Sequence, residues 1–228
     1  MFKHGIDQEA LITSFLQATA KQGEALRKAV AEATLKGLQG RELTLANIKK
    51  VLNTVAETAA SGMAHSTLSG PDVEALLGKA FAGVDAALEQ AVQAHRKVLQ
   101  QLVDQGASVR ETQLKKALAD IEKMEDSLFD AFRKAAAGAD AALQGPWAEA
   151  LKAAQGKATG TGAQASATLA QLLDDTQQGL RNSRALGLKA TQAMLDGYAT
   201  MASGVLLGMS QALQGGSAPP SASRGKKA

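Results

Sequence analysis

Cysteine is absent from the 228-residue chain, and aromatic and β-branched residues are scarce. Without cysteine the chain can form no disulfide, no thiolate metal site and no cysteine nucleophile, a pattern typical of a reducing compartment. The sequence has 5 Phe, 1 Trp and 1 Tyr, with 10 Val and 4 Ile, so it is poor in the residue types that strands require. Its 47 Ala and 29 Leu instead predict an all-α protein.

The sequence also lacks a substantial excess of charge. Its formal net charge is +3, and Arg224, Lys226 and Lys227 account for all of it. Because binding to nucleic acid requires clustered basic side chains, we expect no nucleic-acid partner. The N-terminal residues show no unbroken apolar segment of the kind found in signal peptides, so we expect a cytoplasmic protein.

Apolar residues recur at alternating three- and four-residue steps, which predicts long amphipathic helices that form a helical bundle or coiled coil. Residues 1–70 are predicted to form an N-terminal helical hairpin, in which Asp7 and Thr44 cap the two helices. Gly23 and Gly62 fall on the apolar positions of this pattern. Because glycine has no side chain to fill a helix contact, these positions predict loose packing.

The rest of the chain divides at two Gly-Pro pairs. Residues 71–145 form either one long helix or a helical hairpin, and we favour a break near Gly106. Residues 146–214 are predicted to be a C-terminal helical region, with a glycine-rich hinge at 156–162. The tail, residues 215–228, is basic and rich in small residues and proline, so it is predicted to be disordered.

The sequence offers no constellation typical of an active site. His4, His65 and His95 have no second metal ligand at helical spacing, and no nucleophile motif accompanies them. We therefore predict no catalytic, cofactor-binding or metal site, and expect a nonenzymatic protein. His95 lies on an apolar helix face, which predicts a partly buried polar residue at a helix contact.

The most informative segment runs from 197 to 223 and contains no charged residue. Its helical part has a row of small residues that is predicted to pack closely against another helix, namely Thr200, Gly204, Gly208 and Ala212. Large apolar residues are predicted to bind a surface or partner, and these are Met194, Tyr198, Met201, Val205, Leu206, Leu207, Met209 and Leu213.

Three structural roles for this segment stay open at this point. A transmembrane helix is disfavoured, because serine, threonine, glutamine and glycine dilute the apolar run. The alternatives are a close-packed contact within a helical protein and an apolar face that docks on a hydrophobic surface or partner.

Residues 198–213 and the Pro-, Ala-, Ser- and Lys-containing tail resemble the phasin-like proteins of bacteria, which coat polyhydroxyalkanoate storage granules. The alanine-, glutamine- and leucine-rich helices with few aromatic residues are also similar to that group. The resemblance implies a nonenzymatic structural protein, located in the cytoplasm at the granule surface, that binds the hydrophobic polymer through amphipathic helices and forms homo-oligomers. The tail lacks the long basic repeats of nucleoid-binding members, which argues against DNA binding. The alternatives are an oligomeric coiled-coil scaffold without granule binding and, less favoured, a membrane-anchored helical protein.

Overall fold

The computed structural model describes residues 2–3, 5–17, 23–39, 42–65, 68–104, 111–156, 158–182 and 198–215. These residues are almost entirely helical, which confirms the all-α prediction. The helices are α1 (Gln8–Gln17), α2 (Gly23–Gln39), α3 (Leu45–Ala64), α4 (Gly70–Asp104), α5 (Glu111–Ala137), α6 (Ala141–Gln155), α7 (Gly160–Asn182) and α8 (Tyr198–Gly215). A short antiparallel pair of strands, β1 (Phe2–Lys3) and β2 (Ile6–Asp7), precedes them.

Local hydrogen bonds explain where α1 and α3 begin. Gly5, between β1 and β2, has φ +77°, a conformation that glycine adopts without steric cost. The Ala10 amide donates to Asp7 Oδ1 at 3.2 Å, and the Asn47 amide donates to Thr44 Oγ1 at 3.3 Å. Both predicted N-caps are therefore present, and each satisfies an amide that the helix itself leaves unpaired.

Within the segment from 71 to 145 the structure describes α4, α5 and the start of α6. Helix α6 begins at Ala141 and contains Pro146, so the predicted division at Gly145 and Pro146 falls inside a helix. Pro71 lies in the first turn of α4, where a missing amide hydrogen costs no helical bond. Residues 105–110, which include the predicted break at Gly106, lie outside the described residues.

The irregular segment between α6 and α7 is shorter than the predicted hinge at 156–162, because α7 already begins at Gly160. The amides of Gly160 and Thr161 donate to the Asp85 carboxylate at 2.8 and 2.9 Å. The Gly162 amide donates to Thr159 Oγ1 at 2.9 Å. These bonds occupy the free amides of the first turn and so offset the low helix propensity of the glycines.

Helix α4 lies at the centre of the described chain and packs against α2, α6, α7 and α8. Helix α3 packs mainly against α5 and α1. Helix α2 contacts α4 more extensively than it contacts α3, its partner in the predicted hairpin. The three predicted segments, 1–70, 71–145 and 146–214, all contribute to one apolar core that extends from Ile6 to Leu206.

Glycines bring helices close together. A Cβ atom placed on Gly62 would lie 2.6 Å from Phe15 Cβ, and one on Gly83 would lie 2.5 Å from the Arg27 carbonyl oxygen. The prediction of loose packing at Gly62 is wrong, because the Phe15 ring fills the space that a side chain at residue 62 would need. At Gly83, the missing side chain allows α4 to approach the backbone of α2.

The few aromatic residues are concentrated where α4, α5 and α6 meet. The Phe81 ring centroid lies 5.1 Å from the centroids of both Phe129 and Phe132. The ring centroid of Phe132 in turn lies 5.7 Å from that of Trp147, which is fully buried. Aromatic side chains contribute large buried areas, so this cluster anchors the centre of the fold, whereas α8 contributes smaller side chains to the core.

Candidate functional site

The site predicted from sequence lies on α8. Met194 lies outside the described residues, and so do the side chains of Ala212 and Leu213. The other predicted residues lie on two different sides of this helix, which we call the docked face and the exposed face.

The docked face of α8 packs against the rest of the protein. Its residues recur at three- and four-residue intervals, so they lie on one side of the helix. Ala202, Leu206 and Ser210 are buried, and Tyr198, Val205 and Met209 are partly buried against the core. Four of the six predicted surface-binding residues whose side chains the structure describes therefore contact the protein itself in this conformation.

The exposed face carries no charge. It consists of Thr200, Met201, Gly204, Leu207, Gly208 and Gln211. Within the described part of the chain, no atom comes within 4 Å of a Cβ placed on Gly204 or Gly208. Gly204 and Gly208 of the small-residue row therefore make no close contact with another described helix. Ala202 and Leu206, on the opposite side of α8, are the residues that face the core.

Two large apolar side chains of the exposed face are accessible. Met201 is 38% exposed and Leu207 is 41% exposed. By helical geometry Met201 lies at the edge of the docked face, next to Val205, whereas Leu207 lies on the opposite side from Val205. The predicted surface-binding residues thus do not form one continuous exposed patch while α8 is docked.

Hydrogen bonds from Gln39, the last residue of α2, hold the middle and end of α8. Ser203 Oγ donates to the Gln39 backbone oxygen at 3.2 Å. Gln39 Nε2 donates to Ser210 Oγ at 2.6 Å. One residue therefore fixes the rotation of α8 at two positions that lie about two turns apart.

The segment that links α2 to α3 holds the first turn of α8. The Leu43 amide donates to the Ala199 carbonyl oxygen at 3.1 Å, and Thr200 Oγ1 donates to Glu42 Oε1 at 3.3 Å. Both bonds join residues more than 150 positions apart in the sequence, so sequence periodicity contains no signal for them.

A buried polar pair joins α8 to α4. His95 Nδ1 lies 2.5 Å from the Tyr198 hydroxyl oxygen, and the ring centroids are 5.1 Å apart. His95 is only 3% exposed. The sequence predicts a partly buried histidine at a helix contact, and its burial is deeper than that. Among the described residues, His95 Nε2 has no hydrogen-bond partner.

Burial determines the ionisation of this pair. It lowers the pKa of His95 to about 4, and the nearby Leu43 backbone opposes that shift to a smaller degree. Burial also raises the pKa of the Tyr198 phenol well above its ordinary value, and the Asp120 carboxylate acts in the same direction. At neutral pH both side chains are therefore uncharged.

The described residues contain no group of three or more His, Asp or Glu side chains that could hold a metal ion. The described chain has two open clefts, one of about 400 Å³ between α3 and α5 and one of about 380 Å³ between α4 and α6. Alanine is the commonest residue in the lining of each. Of the helices that the structure describes, none combines the length and apolarity needed to cross a membrane.

A family model matches residues 1–215 of the chain. The chain belongs to DUF6781, a family of unknown function. The matched range of this DUF6781 protein includes α8 and the residues of α2 and α4 that hold it. Neither the curated proteins nor the solved structures include a significant match. The candidate site of the DUF6781 protein is thus defined by its own contacts, an uncharged helix docked through a few apolar side chains and several hydrogen bonds.

Proposed function

We propose that this DUF6781 protein is a nonenzymatic structural protein that associates with hydrophobic storage granules through α8, as the phasin-like proteins that it resembles do. The observation that carries the proposal is the construction of α8. This helix has no charged residue, and its apolar face is docked on the protein partly by hydrogen bonds that water can replace.

Binding requires α8 to leave its docking site. In the docked state Met201 and Leu207 expose less than half of their surfaces, and they lie on different sides of the exposed face. A released α8 would instead present Val205, Leu206 and Met209 together, with Met201 at their edge. Full burial of a side chain of this size contributes roughly 1.5–3 kcal/mol, so the three neighbouring side chains of the docked face bind an apolar surface more strongly than the two separated side chains of the exposed face.

Water and the granule replace the contacts that α8 loses on release. The hydrogen bonds to Gln39, Glu42 and Leu43 exchange for bonds to water, at a net cost of about 0.5–1.5 kcal/mol each. On the granule Leu206 keeps its burial, whereas Val205 and Met209, which are only partly buried while α8 is docked, gain burial against the apolar surface. No charge between residues 197 and 223 has to be removed from water on contact.

Two matched lysine substitutions test this proposal in the full chain. Met201 and Gln211 are both exposed in the docked state, so Met201→Lys and Gln211→Lys each add one charge without burying it. Only Met201 borders the docked face. We expect Met201→Lys to weaken binding to polyester beads roughly tenfold, in line with the loss of one large apolar group, and Gln211→Lys to leave it within about twofold.

Binding is measured by sedimentation of the beads with excess albumin present, and circular dichroism verifies equal helicity. Equal losses in the two variants would contradict the assignment to the docked face. Retention of the parent protein no better than that of albumin would contradict granule association itself.

One observation favours a second function, an oligomeric coiled-coil scaffold. Gly204 and Gly208 are exposed, and small residues at this spacing allow a second helix to approach closely. In that case a second copy of the chain would cover the exposed face of α8. Gly208→Leu distinguishes the two functions, because it should abolish self-association in analytical ultracentrifugation if the scaffold is correct and should not weaken bead binding if granule association is correct.

A further inference from the structure

The docking site of α8 contains one titratable group that the proposed surface contact does not use, the His95 imidazole. Nδ1 is paired with the Tyr198 hydroxyl at 2.5 Å, and Nε2 has no partner in the described part of the chain. Val92 and Leu99, which lie about one turn before and one turn after His95 on α4, are also buried. The ring thus lies on a buried side of α4, with a single side-chain hydrogen bond and the Leu43 backbone nearby.

This environment accepts a neutral imidazole and disfavours a charged one. A neutral ring has one donor and one acceptor, whereas an imidazolium has two donors. The Tyr198 oxygen can accept from Nδ1, whereas Nε2 forms no hydrogen bond among the described residues. The Leu43 backbone favours the charged ring, but its effect on the pKa is smaller than that of burial. A buried charge that is not fully hydrogen-bonded is strongly unfavourable, whereas water would solvate both donors once α8 has left.

We propose that His95 makes the docking of α8 sensitive to acid, so that protonation of its imidazole releases α8 from α4 and frees the docked face. The biological consequence rests on the proposed role of α8 at an apolar surface. The release itself is a property of the isolated chain.

The charged residues next to His95 on α4 do not compensate for its protonation. Arg96 donates from its guanidinium to the Gln171 side chain of α7, so that charge is directed away from the docking site. Lys97 is exposed. Both carry the same sign as an imidazolium, so neither favours its formation.

Two carboxylates lie on the other elements around the pair. Asp120 of α5 acts on the Tyr198 phenol, and Glu42 accepts a hydrogen bond from Thr200 Oγ1. Neither is a hydrogen-bond partner of His95. Helix α8 itself contributes no charge, and its one titratable group is Tyr198, which stays neutral at and below neutral pH.

The direction and size of the effect follow from linkage. The docked His95 has a pKa of about 4, against an ordinary value of 6.5, so the released state binds the proton more tightly. Docking is therefore strongest above pH 6.5 and weakens as the pH falls through that value. Between pH 7 and pH 5 the ratio of released to docked molecules should rise roughly twentyfold.

Spin labels on a cysteine pair measure this release without any surface present. The native chain has no cysteine, so Gln101→Cys on α4 and Gln211→Cys on α8, both exposed positions, take the labels specifically. We expect a narrow distance distribution at pH 7.5 that broadens at pH 5. The fluorescence of Trp147, the sole tryptophan, should stay unchanged over this range because the core between α5 and α6 remains folded.

Two substitutions assign the response to His95. In His95→Asn an amide replaces the ring near the Nδ1 position and does not titrate, so the broadening at pH 5 should disappear. His65→Gln removes an exposed histidine at the end of α3 and should leave the broadening intact. If His95→Asn does not fold, Tyr198→Phe takes its place, and it should move the release to higher pH because docking loses a hydrogen bond.

Several results would overturn the inference. These are a parent protein that stays docked at pH 5, a His95→Asn protein that still shows the broadening, and exposure of Trp147 at the pH at which the labels separate. Release by acid without bead binding would refute the proposed function and leave this inference standing. Bead binding without release by acid would do the reverse.

Discussion

Tyr198→Phe is expected to strengthen binding to an apolar surface, although it removes a native hydrogen bond. The substitution keeps the aromatic ring on the docked face and deletes the hydroxyl that pairs with His95 at 2.5 Å. Because His95 is buried, its Nδ1 atom then loses its partner while α8 is docked. Leaving a buried polar atom unpaired costs about 1–3 kcal/mol, and that cost falls on the docked state alone.

The magnitude in a binding assay follows from this cost. A free energy of 1–3 kcal/mol corresponds to roughly a 5- to 150-fold increase in the ratio of released to docked α8. While most molecules are docked, the apparent affinity for the surface rises by the same factor. Bead-binding isotherms of the parent and Tyr198→Phe proteins at pH 7.5, at matched helicity, measure the change directly.

The sign of this result is informative. If α8 bound without leaving its docking site, removal of a polar group on its buried side would leave affinity unchanged. If the loss of the hydroxyl merely loosened the whole fold, Trp147 fluorescence would change at the same time. Unchanged or weaker binding by a well-folded Tyr198→Phe protein would refute the reasoning.

Further predictions concern the fold that holds α8. Gly83→Ala should lower the free energy of unfolding, measured by urea titration, by about 1–3 kcal/mol, because the new Cβ would lie 2.5 Å from the Arg27 carbonyl oxygen. The control Gly78→Ala should be neutral or stabilising, because no described atom lies within 4 Å of a Cβ at that position. Asp85→Ala should cost about 1–2 kcal/mol through loss of the cap of α7, and hydrogen exchange should locate the loss in the first turn of that helix. An Asp85→Ala protein with unchanged protection at Gly160 and Thr161 would contradict the capping assignment.

The sequence contained enough information for the helical class and for several helix ends. Alanine and leucine content, with few β-branched residues, predicts helices, and Asp7 and Thr44 cap helices as their types indicate. These features depend on residues a few positions apart, so they can be predicted from local chemistry. The hinge at 156–162 was predicted too long because the group that caps α7, Asp85, lies 75 residues earlier.

The candidate site was predictable as a segment but not as a surface. The uncharged run from 197 to 223 is visible in the sequence, and it directs attention to α8. Which side of α8 faces the protein depends on its partners, above all Gln39 and Leu43, which no periodicity connects to it. The contact between His95 and Tyr198 spans 103 positions and could not be inferred from either residue alone.

A reversible cross-link that fastens α8 to its docking site tests the central claim most directly. Gln39→Cys and Ser210→Cys replace a pair whose side chains meet at 2.6 Å, and a short cleavable bridging reagent joins the two thiols. A control bridge between Glu24→Cys and Lys79→Cys replaces an exposed ion pair between α2 and α4. The account predicts that the α8 bridge abolishes binding to polyester beads, that cleavage restores it, and that the control bridge has no effect. Full binding with the α8 bridge intact would contradict it.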